Sequence, residues 1–162
     1  MREHNSLSEA QLEMRSEVEL AFGKRNPPRA DEIINTEFIE PTRIRNFFNG
    51  RAWWDITLEV LWSDYSGGGS ACLSFMSPKG RNYYLPLYLL LAVEHYYKGG
   101  AVTLDFASRL LMYAKDDHYY KISTLNGEEM KAIAKVLRFL ASKYDDKYAQ
   151  EALDYIWKDY LQ

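Results

Sequence analysis

A mainly α fold, a compact helical bundle around one central apolar helix with at most a small two-stranded β element, is what the sequence predicts. An α+β arrangement is the alternative. Three observations carry the prediction. Leu85 to Val93 leaves hardly any polar position, and a helix apolar on every side must be enclosed by other elements. Met130, Ile133, Ala134, Leu137, Leu140 and Ala141 recur at the spacing of one helical face. Capping-box spacing recurs at Ser6-Leu-Ser-Glu9 and Asn126-Gly-Glu-Glu129, a short polar residue followed three positions on by a carboxylate.

Taken in order, the first box opens a helix whose buried face is Met14, Val18, Ala21 and Phe22, ended by Gly23. Lys24 to Ala30 holds Pro27-Pro28 and is a loop, since neither proline continues a helix interior. Asp31 to Glu40 allows a short helix or an extended piece through Ile33, Ile34, Phe38 and Ile39. Pro41-Thr42 can open a helix with Ile44, Phe47 and Phe48 inward and Gly50 after it. For Trp53 to Trp62, length favours a short helix capped by Asp55, although its β-branched and aromatic content suits a strand. Ser66 to Ser70, with three glycines, is a flexible loop.

Ala71 to Met76, a short apolar run between that loop and the Ser77-Pro78 turn, is the best strand candidate. Ser77 and Pro78 can start a short helix. Pro86, lacking an N–H, must kink or restart the apolar segment, which ends at Gly99-Gly100. Thr103 can cap a helix carrying Leu104, Ala107, Leu110 and Leu111. Asp116 to His118 reads as a polar loop and Tyr119 to Ile122 as a short strand. After the long helix behind Asn126, Asp145-Asp146 leads into a last helix with Ala149, Ala152, Leu153, Ile156, Trp157 and Tyr160. No segment repeats at a fixed period, which argues against a solenoid.

The chain of 162 residues suits one globular domain over residues 1–162, with 1–5 a flexible N-terminus. Twenty basic against twenty-three acidic side chains leave a net charge of −3, which weighs against nucleic-acid binding. Six cations (Lys24, Arg25, Arg29, Arg43, Arg45, Arg51) against four acids make Gly23 to Arg51 locally positive, and they read as an interleaved surface. The longest uncharged apolar stretch, Asn82 to Val93, is too short for the roughly 20 residues that span a bilayer. With a charged N-terminus and one cysteine, the expected setting is the cytoplasm, with no membrane.

Chemistry-bearing patterns are few. His4, His95 and His118 lie far apart with no metal-ligand spacing, so no metal site or cofactor is expected. Ser66 to Ser70 lacks the lysine and helix start of a phosphate cradle. Cys72 sits among apolar neighbours, where a thiol stays protonated and inert. No catalytic residue is assigned. The aromatic share is the unusual feature: 15% of the chain, with Tyr83-Tyr84, Tyr96-Tyr97 and Tyr119-Tyr120 as adjacent pairs. On a helix such a pair can bury one ring and leave the other at the boundary.

Leu73-Ser-Phe-Met-Ser-Pro78 followed by Tyr83-Tyr-Leu-Pro-Leu-Tyr88 resembles a family of small, mostly bacterial domains without an assigned activity. Phe48-Asn-Gly-Arg-Ala-Trp53 and Leu125-Asn-Gly-Glu-Glu-Met130 add to the resemblance, which covers about Val18 to Leu140. Lys79-Gly80 departs from it, standing where the pattern has an acid and an alanine, as does the run of three glycines. The resemblance implies no catalytic residue, and marks Trp53, Tyr84 and Pro86 as core and kink positions.

The reading that follows is a non-enzymatic cytosolic protein-interaction domain, one version being an immunity or antitoxin-type protein that neutralises a toxin or effector by binding. A small ligand-binding domain or enzyme with its site near the Pro86 kink is the alternative, and a bare structural or regulatory domain, in one version a homodimer through Trp157, Tyr160 and the last helix, is a third. Candidate interaction or pocket residues are Arg81, Tyr83, Tyr84, Tyr119, Tyr120 and Trp157.

Overall fold

A computed structural model describes residues 7–34, 39–64 and 72–162. The N-terminal tail 1–5, Ser6 with its proposed capping role, and the glycine loop 66–70 lie outside the described residues. The elements are α1 (Glu9–Phe22), α2 (Ala30–Ile33), α3 (Ile39–Phe48), a 3-10 turn (Trp53–Asp55), α4 (Leu58–Asp64), α5 (Cys72–Phe75), α6 (Pro78–Glu94), α7 (Ala101–Leu104), α8 (Phe106–Lys115), α9 (Asp117–Tyr120), a 3-10 turn (Ile122–Thr124), α10 (Gly127–Tyr144), α11 (Lys147–Tyr155) and a final 3-10 turn (Trp157–Leu161). No strand occurs among the described residues, and the protein is a mainly α bundle.

Helix α6 is the axis. Every residue from Tyr84 to Val93 is buried, so the segment without a polar face is enclosed as its composition requires. It is one helix from Pro78 to Glu94 rather than two: Ser77 Oγ accepts the Gly80 N–H at the N-cap, and Pro86 lies in the interior. Helix α1 lies against α6 and α10 and inserts Met14, Val18 and Phe22. Its Arg15 grips the Glu94 carboxylate with Nε and Nη2, each at 2.7 Å, while Gln11 donates to the Val93 carbonyl at 3.0 Å. Helices α8 and α11 pack on each other, and α10 closes against both α1 and α11. Beyond α6, Tyr96 donates to Asp146 Oδ2 at 2.7 Å and stacks on Tyr144. Asp146 Oδ1 in turn caps α11 by accepting the Ala149 N–H. That pair of contacts joins the turn after α6 to the α10–α11 corner.

Several local expectations are corrected. The N-terminal capping box is Ser8 with Gln11, two residues later than the Ser6-Glu9 reading, because the Gln11 amide completes the reciprocal bond just as a carboxylate would. The segment 53–62 is divided, and Thr57 Oγ1 rather than Asp55 accepts an N–H, that of Val60. Both strand candidates are helical. Cys72–Phe75 forms α5, and Tyr119 and Tyr120 end α9, which begins inside the expected loop at Asp117. A lone strand would leave its ladder groups unpaired, whereas a helical turn bonds some of them internally and Arg81 takes the Leu73, Met76 and Tyr120 carbonyls. Thr103 caps nothing: fully buried, its hydroxyl donates to the Tyr96 carbonyl and holds the 95–100 turn. The apolar segment ends as a helix at Glu94, with Gly99-Gly100 closing the turn instead.

Gly80 sits where α2 meets α6. A Cβ there would stand 2.9 Å from the Ile33 carbonyl oxygen and 3.0 Å from its Cα, so α2 crosses α6 where a side chain has no room. Gly80→Ala is therefore expected to lower stability by about 1–3 kcal/mol. At Gly127, where a Cβ meets nothing within 4 Å, alanine raises stability by up to about 1 kcal/mol. Chemical denaturation of the two variants reads the contrast.

Candidate functional site

Arg81 lies one turn into α6 and is 2% exposed. Its guanidinium donates in three directions: Nε to the Leu73 carbonyl at 3.0 Å, Nη2 to Met76 at 2.7 Å and Nη1 to Tyr120 at 2.6 Å. The rings of Tyr113 and Tyr120 face the charge at 5.2 and 5.0 Å. Burial pushes its pKa below the ordinary guanidinium value, yet a guanidinium remains charged at any physiological pH. Tyr113, whose hydroxyl pairs with Ser74 Oγ at 2.9 Å, is pushed up to about 12 by the same burial. One cation thus holds the carbonyl ends of α5 and α9 against α6. Those two short helices carry exposed rings. Phe75 on α5 is 50% exposed, and Tyr119 on α9 is 67% exposed, with its ring edge-on to Tyr120 at 4.8 Å.

A second feature opens beside Tyr83, one turn before Pro86. It is a cleft of about 380 Å³ walled by Phe22, Trp53, Tyr83 and Pro27-Pro28, with Arg25, Asn26, Glu32, Lys79, Asn82, Thr124 and Glu129 as its polar groups. The Tyr83 hydroxyl donates to the Arg25 carbonyl at 2.9 Å and Trp53 Nε1 to Gly23 at 3.1 Å, so two rings hold the loop after α1 in place. Lys79 pairs with Glu32 at the rim. Glu129 is buried; its Oε1 completes the α10 capping box by accepting the Asn126 N–H at 2.9 Å. Asn82 Nδ2 donates to Thr124 Oγ1 at 2.9 Å.

Of the six residues singled out in the sequence, Arg81, Tyr119 and Tyr120 meet in the first feature and Tyr83 lines the second. Tyr84 is fully buried between them, its hydroxyl shared by the carbonyls of Phe48 and Arg51. Trp157 is fully buried in the core rather than facing a second copy, while Tyr160 is 37% exposed. In the tyrosine pairs Tyr84 and Tyr96 face inward and Tyr97 and Tyr119 outward, although Tyr96 and Tyr97 lie in the turn after α6 and not on a helix. His4 lies outside the described residues, and His95 ends α6. Asp117 accepts both the N–H and the hydroxyl of Ser123, which holds its carboxyl below the usual range. Among the described residues no cluster of three metal-ligating side chains forms. Cys72 is buried, paired with the Tyr88 hydroxyl at 2.7 Å, and desolvation pushes its thiol up to about 11.

Sequence reasoning missed the cleft's other members. Arg25, Asn82 and Glu129 come from three separate stretches, and the one local signal was the capping box that fixes the Glu129 carboxylate. The model of a family of unknown function, DUF6714, matches residues 16–161, and the chain belongs to that family. No curated protein and no solved structure matches it.

Replacing Arg81 by Met would orphan three carbonyls at once. A loss of about 3–5 kcal/mol is expected, seen as a lowered denaturation midpoint.

Proposed function

We propose that this member of DUF6714 is a non-enzymatic protein-interaction domain that works in the cytoplasm by covering a partner's surface. Its most specific form is an immunity or antitoxin-type protein whose partner is a toxin or effector. The supporting observation is the arrangement around Arg81: two exposed rings, Phe75 and Tyr119, on short helices tied to the same buried guanidinium. Rings held in place before contact lose little conformational freedom on binding, which is how a few aromatic side chains come to dominate an interface. The donors of Arg81 and the hydroxyl of Tyr84 are occupied by carbonyls inside the fold, so these two groups support the architecture and leave the surface rings for contact. A cytoplasmic setting fits the single buried thiol, and among the described residues no helix is long and apolar enough to cross a membrane.

A second reading, a ligand-binding domain with its site near Pro86, draws on the cleft beside Tyr83. Its volume falls at the lower end of small-molecule pockets, roughly 300–1,000 Å³.

Co-expression with toxin-like proteins encoded next to this chain in its own genome tests the first reading. The wild type is expected to protect the host and to co-purify with one of them. The double variant Phe75→Ala with Tyr119→Ala is expected to fold normally and to weaken that complex about tenfold or more, roughly 1.4 kcal/mol or more. Full binding by the double variant, or no protection by the wild type against any of them, would contradict the proposal.

A further inference from the structure

We infer that the cleft beside Tyr83 is a binding site for a hydrogen-bond-donating cation, a guanidinium or primary ammonium group. The inference deepens the ligand-binding reading and is independent of the partner surface around Arg81.

It rests on which polar groups in the cleft lack a counterpart. Glu129 has a side chain only 9% exposed, and Oε1 is engaged by the Asn126 N–H. For Oε2 the nearest cation is Arg25 Nη1 at 4.0 Å, beyond hydrogen-bond reach, and no donor among the described residues bonds it. Asn82 repeats the pattern. Its amide nitrogen is bonded to Thr124, while its Oδ1 is buried with no donor among the described residues. The unmatched side-chain groups of Glu129 and Asn82 are therefore both acceptors, one of them ionised, and such acceptors call for a ligand that brings donors.

The rest of the cleft suits a cation. Trp53, Tyr83 and Phe22 supply aromatic wall, which attracts a cation through the ring quadrupole. The lining also holds two cations, and both are accounted for. Lys79 is neutralised by Glu32 at the rim, with its side chain 65% exposed. Arg25, 64% exposed, stands over Glu129 without closing on it, and an arriving guanidinium would take the position that Arg25 does not fill. An anionic ligand would instead face the Glu129 carboxylate, which Arg25 approaches only to 4.0 Å, in a partly desolvated site, where like-charge repulsion is costly.

Titration of the full-length chain with agmatine, followed by calorimetry and thermal shift, tests this. Saturable binding in the millimolar range or tighter is expected, with a rise in Tm, and none for a carboxylate of similar size such as pentanoate. Glu129→Gln keeps the Oε1 acceptor, and with it the capping box, but removes the charge; it is expected to weaken agmatine about tenfold or more while Tm without ligand stays near the wild type. Arg25→Ala is expected to strengthen binding several-fold, because the internal competitor is gone. Tighter binding of a short peptide bearing an arginine side chain than of agmatine would identify the source as a protein's side chain, and the reverse order a free small molecule. Absence of saturable binding up to about 10 mM, or weaker binding in Arg25→Ala, would overturn the inference. Binding of pentanoate in place of agmatine would overturn it too, while leaving a ligand-binding cleft in place.

Discussion

A helix with no polar face has one solution in water, which is to be surrounded, and the arrangement of this protein follows from that constraint. From Tyr84 to Val93 every side chain of α6 is withdrawn from solvent. Burial of a leucine-sized side chain contributes about 1.5–3 kcal/mol, so this segment supplies an unusually dense share of the hydrophobic stabilisation. Helices α1, α7 and α10 lie against it, and the short helices α2 and α5 pack on its N-terminal half. Gly80 lets α2 approach to backbone distance, and the Ser77 N–H donating to the Ile33 carbonyl at 2.7 Å closes the same crossing.

The constraint has a second consequence at the start of the helix. Arg81 is carried into the interior by the segment that follows it, and a buried charge must find compensation. It finds carbonyls and tyrosine rings, not a carboxylate. Those carbonyls belong to the ends of two very short helices, elements that propensity alone would not sustain. One side chain therefore determines where α5 and α9 lie, and with them where Phe75 and Tyr119 meet the solvent.

Legibility in the sequence tracks how local each determinant is. Helix α10 could be read directly, because apolar period, cap residue and length all lie within one window; α1 and α6 were legible as helices, but the α1 cap lies at Ser8 rather than Ser6 and α6 runs unbroken through Pro86 to end at Glu94. The run 72–75 could not: a short apolar stretch beside glycines looks like a strand, and only the fold shows that no strand occurs among the described residues and that Arg81 takes up the Leu73 and Met76 carbonyls. The reading of Tyr119 and Tyr120 as strand failed for the same reason. Aromatic abundance pointed to Tyr119 and Tyr120, and the Pro86 kink to Arg81; these three do come together, whereas Trp157 is core. The cleft was legible only at Tyr83, since Arg25, Asn82 and Glu129 become neighbours solely through the packing of α1, α6 and α10.

Native-state hydrogen exchange along α6 tests this picture most directly. If the helix is enclosed on every side, the amides of Leu87 to Val93 can exchange only when the whole molecule unfolds, and their protection should equal the global stability from denaturation and fall in step with added denaturant. Exchange of these amides through a smaller local opening, with α10 still protected, would show that α6 can leave the bundle while the rest persists and would contradict the account.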